Sequence, residues 1–211
     1  MLLDLLDGKN AVGIIANAQD HKSDPERAQK VEGDVALLAA IGCNASEIDL
    51  REYFGDPDRL EQTLLGLDGV WVRGGGAFVL RQALAGSGGD VVIRDLVERD
   101  ALVYAGESAG GCVLSTDMRP LLVAESGDEV GRLYGVEPAQ QGLGVLGYTF
   151  IPHYSETPGE AEMDVRGVVA WCHENTVPYE TVRDGEVLVR RGEESWVYAA
   201  NSMERRSITQ P

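Results

Sequence analysis

The sequence predicts an α/β fold, a doubly wound and mostly parallel sheet with helices on both faces. Three observations carry that prediction. Short apolar runs alternate with longer segments of helical spacing, and two of the runs, Gly69 to Arg73 and Leu102 to Ala105, end in glycine-rich turns. The 211 residues also suit one layered domain, which would bury roughly 70% of the surface its unfolded chain exposes. No repeat or low-complexity tract divides the chain, and Glu125-Ser126-Gly127-Asp128-Glu129 is too short for a linker, so residues 1–211 are expected to form a single domain.

Taken in order, Ala11 to Ala16 reads as a short buried strand, Pro25 to Ile41 as an amphipathic helix, Ala45 to Leu50 as a strand and Asp56 to Leu67 as a helix. Strands follow at Val70 to Arg73 and Leu102 to Ala105, separated by helical material from Phe78 to Asp100. Beyond a short helix after Ser108 come strand candidates at Leu121 to Ala124 and Tyr148 to Pro152, a helix from Glu160 to His173, and a β run through Tyr198. In open sheets of this kind ligands bind at the carboxyl ends of the strands, where both glycine turns fall.

The second of those turns holds the clearest chemistry. Gly106-Glu107-Ser108-Ala109-Gly110 is a G-x-S-x-G sequence between an apolar strand and a helix start, an arrangement that forces the middle residue into a strained conformation and lifts its hydroxyl above the sheet edge. Ser108 is therefore the candidate nucleophile, the competing reading being a serine that only caps the helix. The helix start at Ala109 and the turn Gly74-Gly75-Gly76 would each bring backbone N–H groups to one edge, which suits an oxyanion. The glycine triplet lacks a following G-K-[ST] and does not complete G-x-G-x-x-G, so no phosphate loop or nucleotide cofactor is implied.

Of the three histidines, His153 ends the apolar run Leu146 to Ile151 and follows Pro152, which interrupts strand pairing and splays the ring outward. It is the candidate general base, against a purely structural strand-end role. Asp184 precedes Gly185 ahead of a β run, which is also a hairpin-turn signal. Glu156, Glu160, Glu162, Asp164 and Glu186 compete with it as the acid that orients the histidine.

Gly74-Gly75-Gly76, the Gly-Glu-Ser-Ala-Gly elbow, Thr116-Asp117-Met118, Ile151-Pro152-His153-Tyr154 and Val182-Arg183-Asp184-Gly185 occur in the order and approximate spacing of the peptidase E, or α-aspartyl dipeptidase, family. The resemblance runs from about Val12 to about Ala199. That family is related to cyanophycinases, so the resemblance implies a class I glutamine amidotransferase-like, flavodoxin-like frame. It also implies a Ser-His-acid triad of Ser108, His153 and Asp184, with an oxyanion hole drawn from Gly75, Gly76 and Ala109. True α/β-hydrolases run Ser, acid, His, an order this chain does not follow.

Two departures bear on specificity. Ala77-Phe78 stands where the family often continues with Asn and a hydroxyl residue, and Glu107 stands where relatives usually carry a neutral side chain. Glu107 is read as pointing to solvent. The resemblance marks Asp117 as a residue shaping the substrate end of the site, and Arg166 is the cation available to an acidic substrate side chain in the helix after the histidine. The activity implied is a serine-type dipeptidase on short peptides, acting on N-terminal Asp-X among others; the alternatives are a cyanophycinase-like or ester-cleaving hydrolase and a non-catalytic ligand- or partner-binding domain.

A formal charge of −17, with 35 acidic residues against 18 Lys and Arg, argues against nucleic acid and anionic membrane as partners and fits either a salt-adapted source or a plain composition bias. Neither H-E-x-x-H nor paired Cys/His spacing occurs, so no metal or other cofactor is expected. The 3 cysteines include no C-x-x-C, which favours a reducing cytoplasm. The first residues lack the charged region and apolar core of a signal peptide. A small peptide is the expected partner, and a homodimer is left open.

Overall fold

The computed structural model describes residues 1–157, 165–199 and 205–208. Packing divides the chain into two compact units, one of residues 1–113 and 127–139, the other of residues 114–126 and 140–211.

The first unit opens with a short helix α1 (Leu2–Leu6) and is built on four parallel strands, β1 (Ala11–Ile15), β2 (Asn44–Glu47), β3 (Gly69–Val72) and β4 (Val103–Gly106), in the order β2-β1-β3-β4. Helices α2 (Asp24–Ala40), α3 (Pro57–Leu64), α4 (Ala77–Ser87) and α5 (Gly89–Glu98) make the crossovers, as parallel pairing requires. This is the doubly wound α/β fold expected. The strand order reverses between β1 and β3, so the crevice at a switch point lies beyond the ends of those two strands.

Local chemistry explains the element ends. The Glu26 carboxylate accepts the Ser23 N–H (3.1 Å), and Pro25 sits in the first turn of α2. The Asp56 carboxylate accepts the Arg59 N–H at the start of α3. The helical stretch from Phe78 to Asp100 is two helices, because Gly88 takes φ +71° and closes α4 as a left-handed cap. Ile14, Ile15, Leu38, Leu60, Phe78 and Leu80 are among the residues that lose all or nearly all contact with solvent. Two ionic groups are buried with them. Arg27 on α2 pairs with Asp20 (2.9 Å), Glu47 (2.5 Å) and Asp49 (3.4 Å), and Asp34 pairs with Arg73, which balances charges that would be costly alone. Two short helices, α6 (Ala109–Cys112) and α7 (Asp128–Tyr134), complete the unit.

The second unit holds the parallel pair β5 (Thr149–Ile151) and β6 (Tyr179–Thr181), the helix α8 (Arg166–Asn175), and an antiparallel sheet β7 (Glu186–Arg191), β8 (Glu194–Ala199) and β9 (Arg205–Ile208). The strand expected at Leu121 to Ala124 is instead a 3-10 turn over Arg119–Val123. Pro120 cannot donate to a ladder, and the Asp117 carboxylate accepts the Arg119 N–H (2.9 Å), which starts a turn before pairing can begin. The helix expected from Glu160 is described from Arg166; residues 158–164, including Glu160, Glu162 and Asp164, lie outside the described residues. Among the described residues no helix is long and apolar enough to cross a membrane, and no cluster of three or more His, Cys, Asp or Glu is arranged to hold a metal.

Candidate active site

In the first unit β4 delivers the chain into a one-residue elbow. Ser108 takes φ 49° and ψ −108°, a conformation that L-residues rarely adopt, and stands as the cap residue before α6. The flanking glycines make this possible by close approach. A Cβ on Gly106 would lie 2.6 Å from the Gly110 carbonyl, and one on Gly110 would lie 2.2 Å from the Val72 carbonyl oxygen. The elbow is thus pressed onto β3, with the Glu107 N–H donating to the Val72 carbonyl (2.9 Å). Beneath it the Tyr104 hydroxyl donates to the Gly110 carbonyl (2.6 Å), and burial holds that phenol far above its ordinary pKa, so it remains a donor. Helix α6 is a single turn of four residues, so its contribution is local N–H groups rather than the dipole of a long helix.

The glycine turn at the end of β3 faces the same elbow. A Cβ on Gly74 would come 3.1 Å from the Ser108 Cβ, so the turn and the serine pack tightly on that side. Gly75 takes φ +148°, and the N–H of Gly76 is donated to the Ala18 carbonyl (2.9 Å). That bond commits Gly76 to the scaffold and leaves Gly75 as the candidate of the two for an oxyanion donor. Glu107 is exposed as expected, yet its carboxylate reaches back toward the Gly74 N–H (3.4 Å) rather than standing clear in solvent.

In the second unit the ladder between β5 and β6 sets the register for the other two candidates. Ile151 lies opposite Thr181, the Val182 N–H donates to the Ile151 carbonyl (3.0 Å), and the Tyr154 N–H donates to the Val182 carbonyl (3.1 Å). His153 lies between these bonds at φ +61°, and its Nδ1 is 2.7 Å from Asp184 Oδ1. The Asp-Gly sequence does form a turn, closed by the Glu186 N–H donating to the Arg183 carbonyl (3.0 Å), but β6 and β7 belong to different sheets and make no hairpin. Of the competing acids, the two among the described residues are occupied elsewhere: Glu156 pairs with the Arg183 guanidinium (3.0 Å) and Glu186 accepts the Arg183 N–H (2.9 Å). With Nδ1 held by a carboxylate, any proton transfer by this ring would fall to Nε2.

Asp117 is matched within its own unit. The Arg119 guanidinium binds both of its oxygens (3.0 and 2.6 Å), and although burial alone would raise its pKa, the hydrogen bonds and charge of Arg119 hold the carboxyl below its usual range. A substrate ammonium approaching Asp117 would share the carboxylate with that guanidinium. Arg166 is the half-buried first residue of α8. His173 is structural, its Nε2 lying 2.7 Å from the Tyr179 hydroxyl. Cys112 is buried in the first turn after the elbow, as expected, and all three cysteines are buried and outside any disulfide. The sequence reading missed Gln19, whose side-chain amide donates to the Gly74 carbonyl. The available signal was a polar segment, Asn17 to Asp20, directly after a buried strand.

Comparison with known proteins follows the same lines. The model of peptidase family S51 matches residues 9–197. The chain is 28% identical over 129 residues to uncharacterized peptidase Lmo0363 of Listeria monocytogenes, covering 61% of this chain and 59% of that protein. It is 27% identical over 128 residues to uncharacterized peptidase Lin0382 of Listeria innocua, covering 61% and 58%. The matched part therefore spans less than two thirds of the length of either relative. Among crystal structures, a peptidase from an acI-B1 Actinobacterium superposes with a TM-score of 0.65 at 15% identity over 99% of this chain and 87% of the other. A candidate peptidase E protein from Listeria monocytogenes EGD-e gives 0.61 at 20% identity over 96% and 87%. At these identities the two structures establish the fold.

Proposed function

The chain belongs to peptidase family S51, the peptidase E family, and from that membership we propose that it is a serine peptidase hydrolysing short peptides with a free N-terminus. Ser108 is the nucleophile. Its Oγ attacks the scissile carbonyl carbon while His153 Nε2 takes the hydroxyl proton, and Asp184 keeps the Nδ1 proton in place and balances the imidazolium. The oxyanion of the tetrahedral intermediate accepts hydrogen bonds from the N–H groups of Gly75 and Ala109. Collapse breaks the C–N bond, the proton on Nε2 passes to the leaving amine, and water then opens the acyl-enzyme by the same steps in reverse order.

The observation that carries this reading is the elbow itself: a serine at φ 49°, held there by two glycines that admit no side chain. Strain of that kind is kept where the surrounding structure enforces it, and a helix cap would not need it. On specificity, Glu107 gives the serine an acidic neighbour, so peptides beginning with aspartate gain less advantage over neutral ones than the family name implies.

The test is to incubate the purified protein with a dipeptide library and read products by mass spectrometry, with Ser108→Ala alongside. Cleavage that vanishes in the variant supports the reading; turnover that survives it rules out the serine. Comparing kcat/KM for Asp-Leu, Asn-Leu, Ala-Leu and acetyl-Asp-Leu then addresses the substrate. Fast cleavage of the acetylated peptide removes the free-amine requirement, and a strong aspartate preference lost in Arg166→Ala restores the aspartyl reading.

A further inference from the structure

We propose that Gln19 is a positioning residue for the oxyanion hole, fixing the direction of the Gly75 N–H from behind; the proposal rests on the serine-peptidase reading above. The Gly74–Gly75 peptide is a planar trans unit, so its carbonyl oxygen and its N–H point in opposite directions. The Gln19 amide donates to the Gly74 carbonyl from one side. Whatever holds that carbonyl therefore aims the Gly75 N–H the opposite way, and a peptide left free to rotate between its neighbours would lose that aim.

The contact is built rather than incidental. Gln19 is buried at 9% exposure. Its side chain touches the turn so closely that a Cβ on Gly75 would lie 2.7 Å from Gln19 Nε2 and 2.5 Å from the Ala18 carbonyl. The same 3-10 turn, Asn17–Gln19, takes the next donor as well, since the Gly76 N–H binds the Ala18 carbonyl. Both groups flanking the Gly75 N–H, the Gly74 carbonyl before it and the Gly76 N–H after it, are thus clamped by one short segment.

That segment is itself anchored. Asn17 has no solvent exposure; its amide donates to Asp20 (2.9 Å) and Asp49 (3.0 Å), and its carbonyl oxygen accepts the Leu50 N–H (3.1 Å). Asp20 and Asp49 are in turn held by Arg27 and Arg51. The segment follows β1 and the glycine turn follows β3, the two strands between which the strand order reverses. Gln19 carries the chemistry of this clamp because only a donor can face a carbonyl oxygen. Glutamate, of equal size, presents an acceptor there when ionised.

The test compares Gln19→Leu and Gln19→Glu with wild type by two measurements: kcat and KM on whichever of Asp-Leu, Asn-Leu and Ala-Leu the wild type cleaves fastest, and the rate at which an alkyl fluorophosphonate labels Ser108, read by intact mass. Phosphonylation also directs an oxygen into the oxyanion hole, so it reports on the hole even where peptide turnover is slow. The expected result is that both variants lose about 100-fold in kcat and a similar factor in labelling rate, with KM within about threefold and thermal stability enough to stay folded at the assay temperature. A variant that folds and keeps kcat and labelling within threefold of wild type overturns the proposal, as does a loss confined to KM. Should Gln19→Leu fail to fold, the isosteric glutamate variant decides. A wild type that does not label at Ser108 at all is a different result: it removes the serine reading itself.

Discussion

The serine elbow and the histidine turn are both strained, but they are held by different means. Ser108 sits between glycines whose replacement would drive a methyl group into backbone atoms at 2.6 and 2.2 Å, so its position follows from packing against β3 that has no alternative. His153 is also at positive φ, yet its ring pairs with the carboxylate of Asp184, which is 63% exposed on a turn. The contrast separates two kinds of precision. In the elbow, position and stability are bound together, because the contacts that place the serine are contacts of the core. At the turn, orientation of the imidazole can be lost while the unit stays folded.

The largest effect expected breaks the chemistry without touching that packing. Ser108→Ala should lower kcat/KM by about 10⁴-fold or more while changing thermal stability by under about 1 kcal/mol, since one hydroxyl at a half-buried turn contributes little packing. Steady-state kinetics beside thermal melts checks both halves. Gly110→Ala should show the opposite pattern, with stability falling by about 2 to 4 kcal/mol as the new methyl meets the Val72 carbonyl, and activity falling because the elbow moves. Urea unfolding measures it, and a variant of unchanged stability would mean that the elbow is not pressed on β3.

At the turn, Asp184→Asn should cost about 100-fold or more in kcat through a mis-set imidazole tautomer, with a melting temperature close to wild type because the carboxylate is exposed. His173→Ala should leave kcat unchanged and cost about 1 kcal/mol, the loss of its bond to Tyr179. If Asp184→Asn is active and His173→Ala is not, the base is the other histidine.

A further effect, confined to low pH, concerns Asp49. Asp49 has its pKa lowered to about 2; burial alone would raise it, but hydrogen bonds from Arg51 and Asn17 and the charge of Arg27 prevail. Its folded pKa lies below its unfolded value, so its contribution is fully present above pH about 4 and disappears as pH falls toward 2. After allowance for solvent screening the contribution is about 1 to 2 kcal/mol. Asp49→Asn should flatten the acid limb of the stability profile by that amount.

What could be read from the sequence follows the range of the interactions. The elbow was legible because its strand, two glycines and serine lie within ten residues and each constrains its neighbour. The pairing of His153 with Asp184 depends on the β5–β6 register, which spans some thirty residues, and no local pattern separates Asp184 from Glu156 or Glu186. Leu121 to Ala124 misled because a four-residue apolar run fits a strand or a turn equally well until Pro120 and the Asp117 cap are weighed. The break at Gly88 is signalled locally by Gly86-Ser87-Gly88-Gly89, poor helix formers set inside a longer stretch of helical spacing. Gln19 was marked by nothing beyond its polar segment, since a glutamine acquires a role only when the strand order sets β1 beside β3.

The close packing at the elbow also governs how this site can change by mutation. Gly106 and Gly110 admit no side chain, Ala109 is buried at 2% exposure, and Ser108 supplies the reacting oxygen, so four of the five residues offer almost no viable substitutions. Glu107 is the exposed residue there whose side chain meets no such limit. A randomised library across the segment should therefore return variants almost wholly at that one residue, making it the natural entry point for redirecting the peptidase toward differently charged peptides.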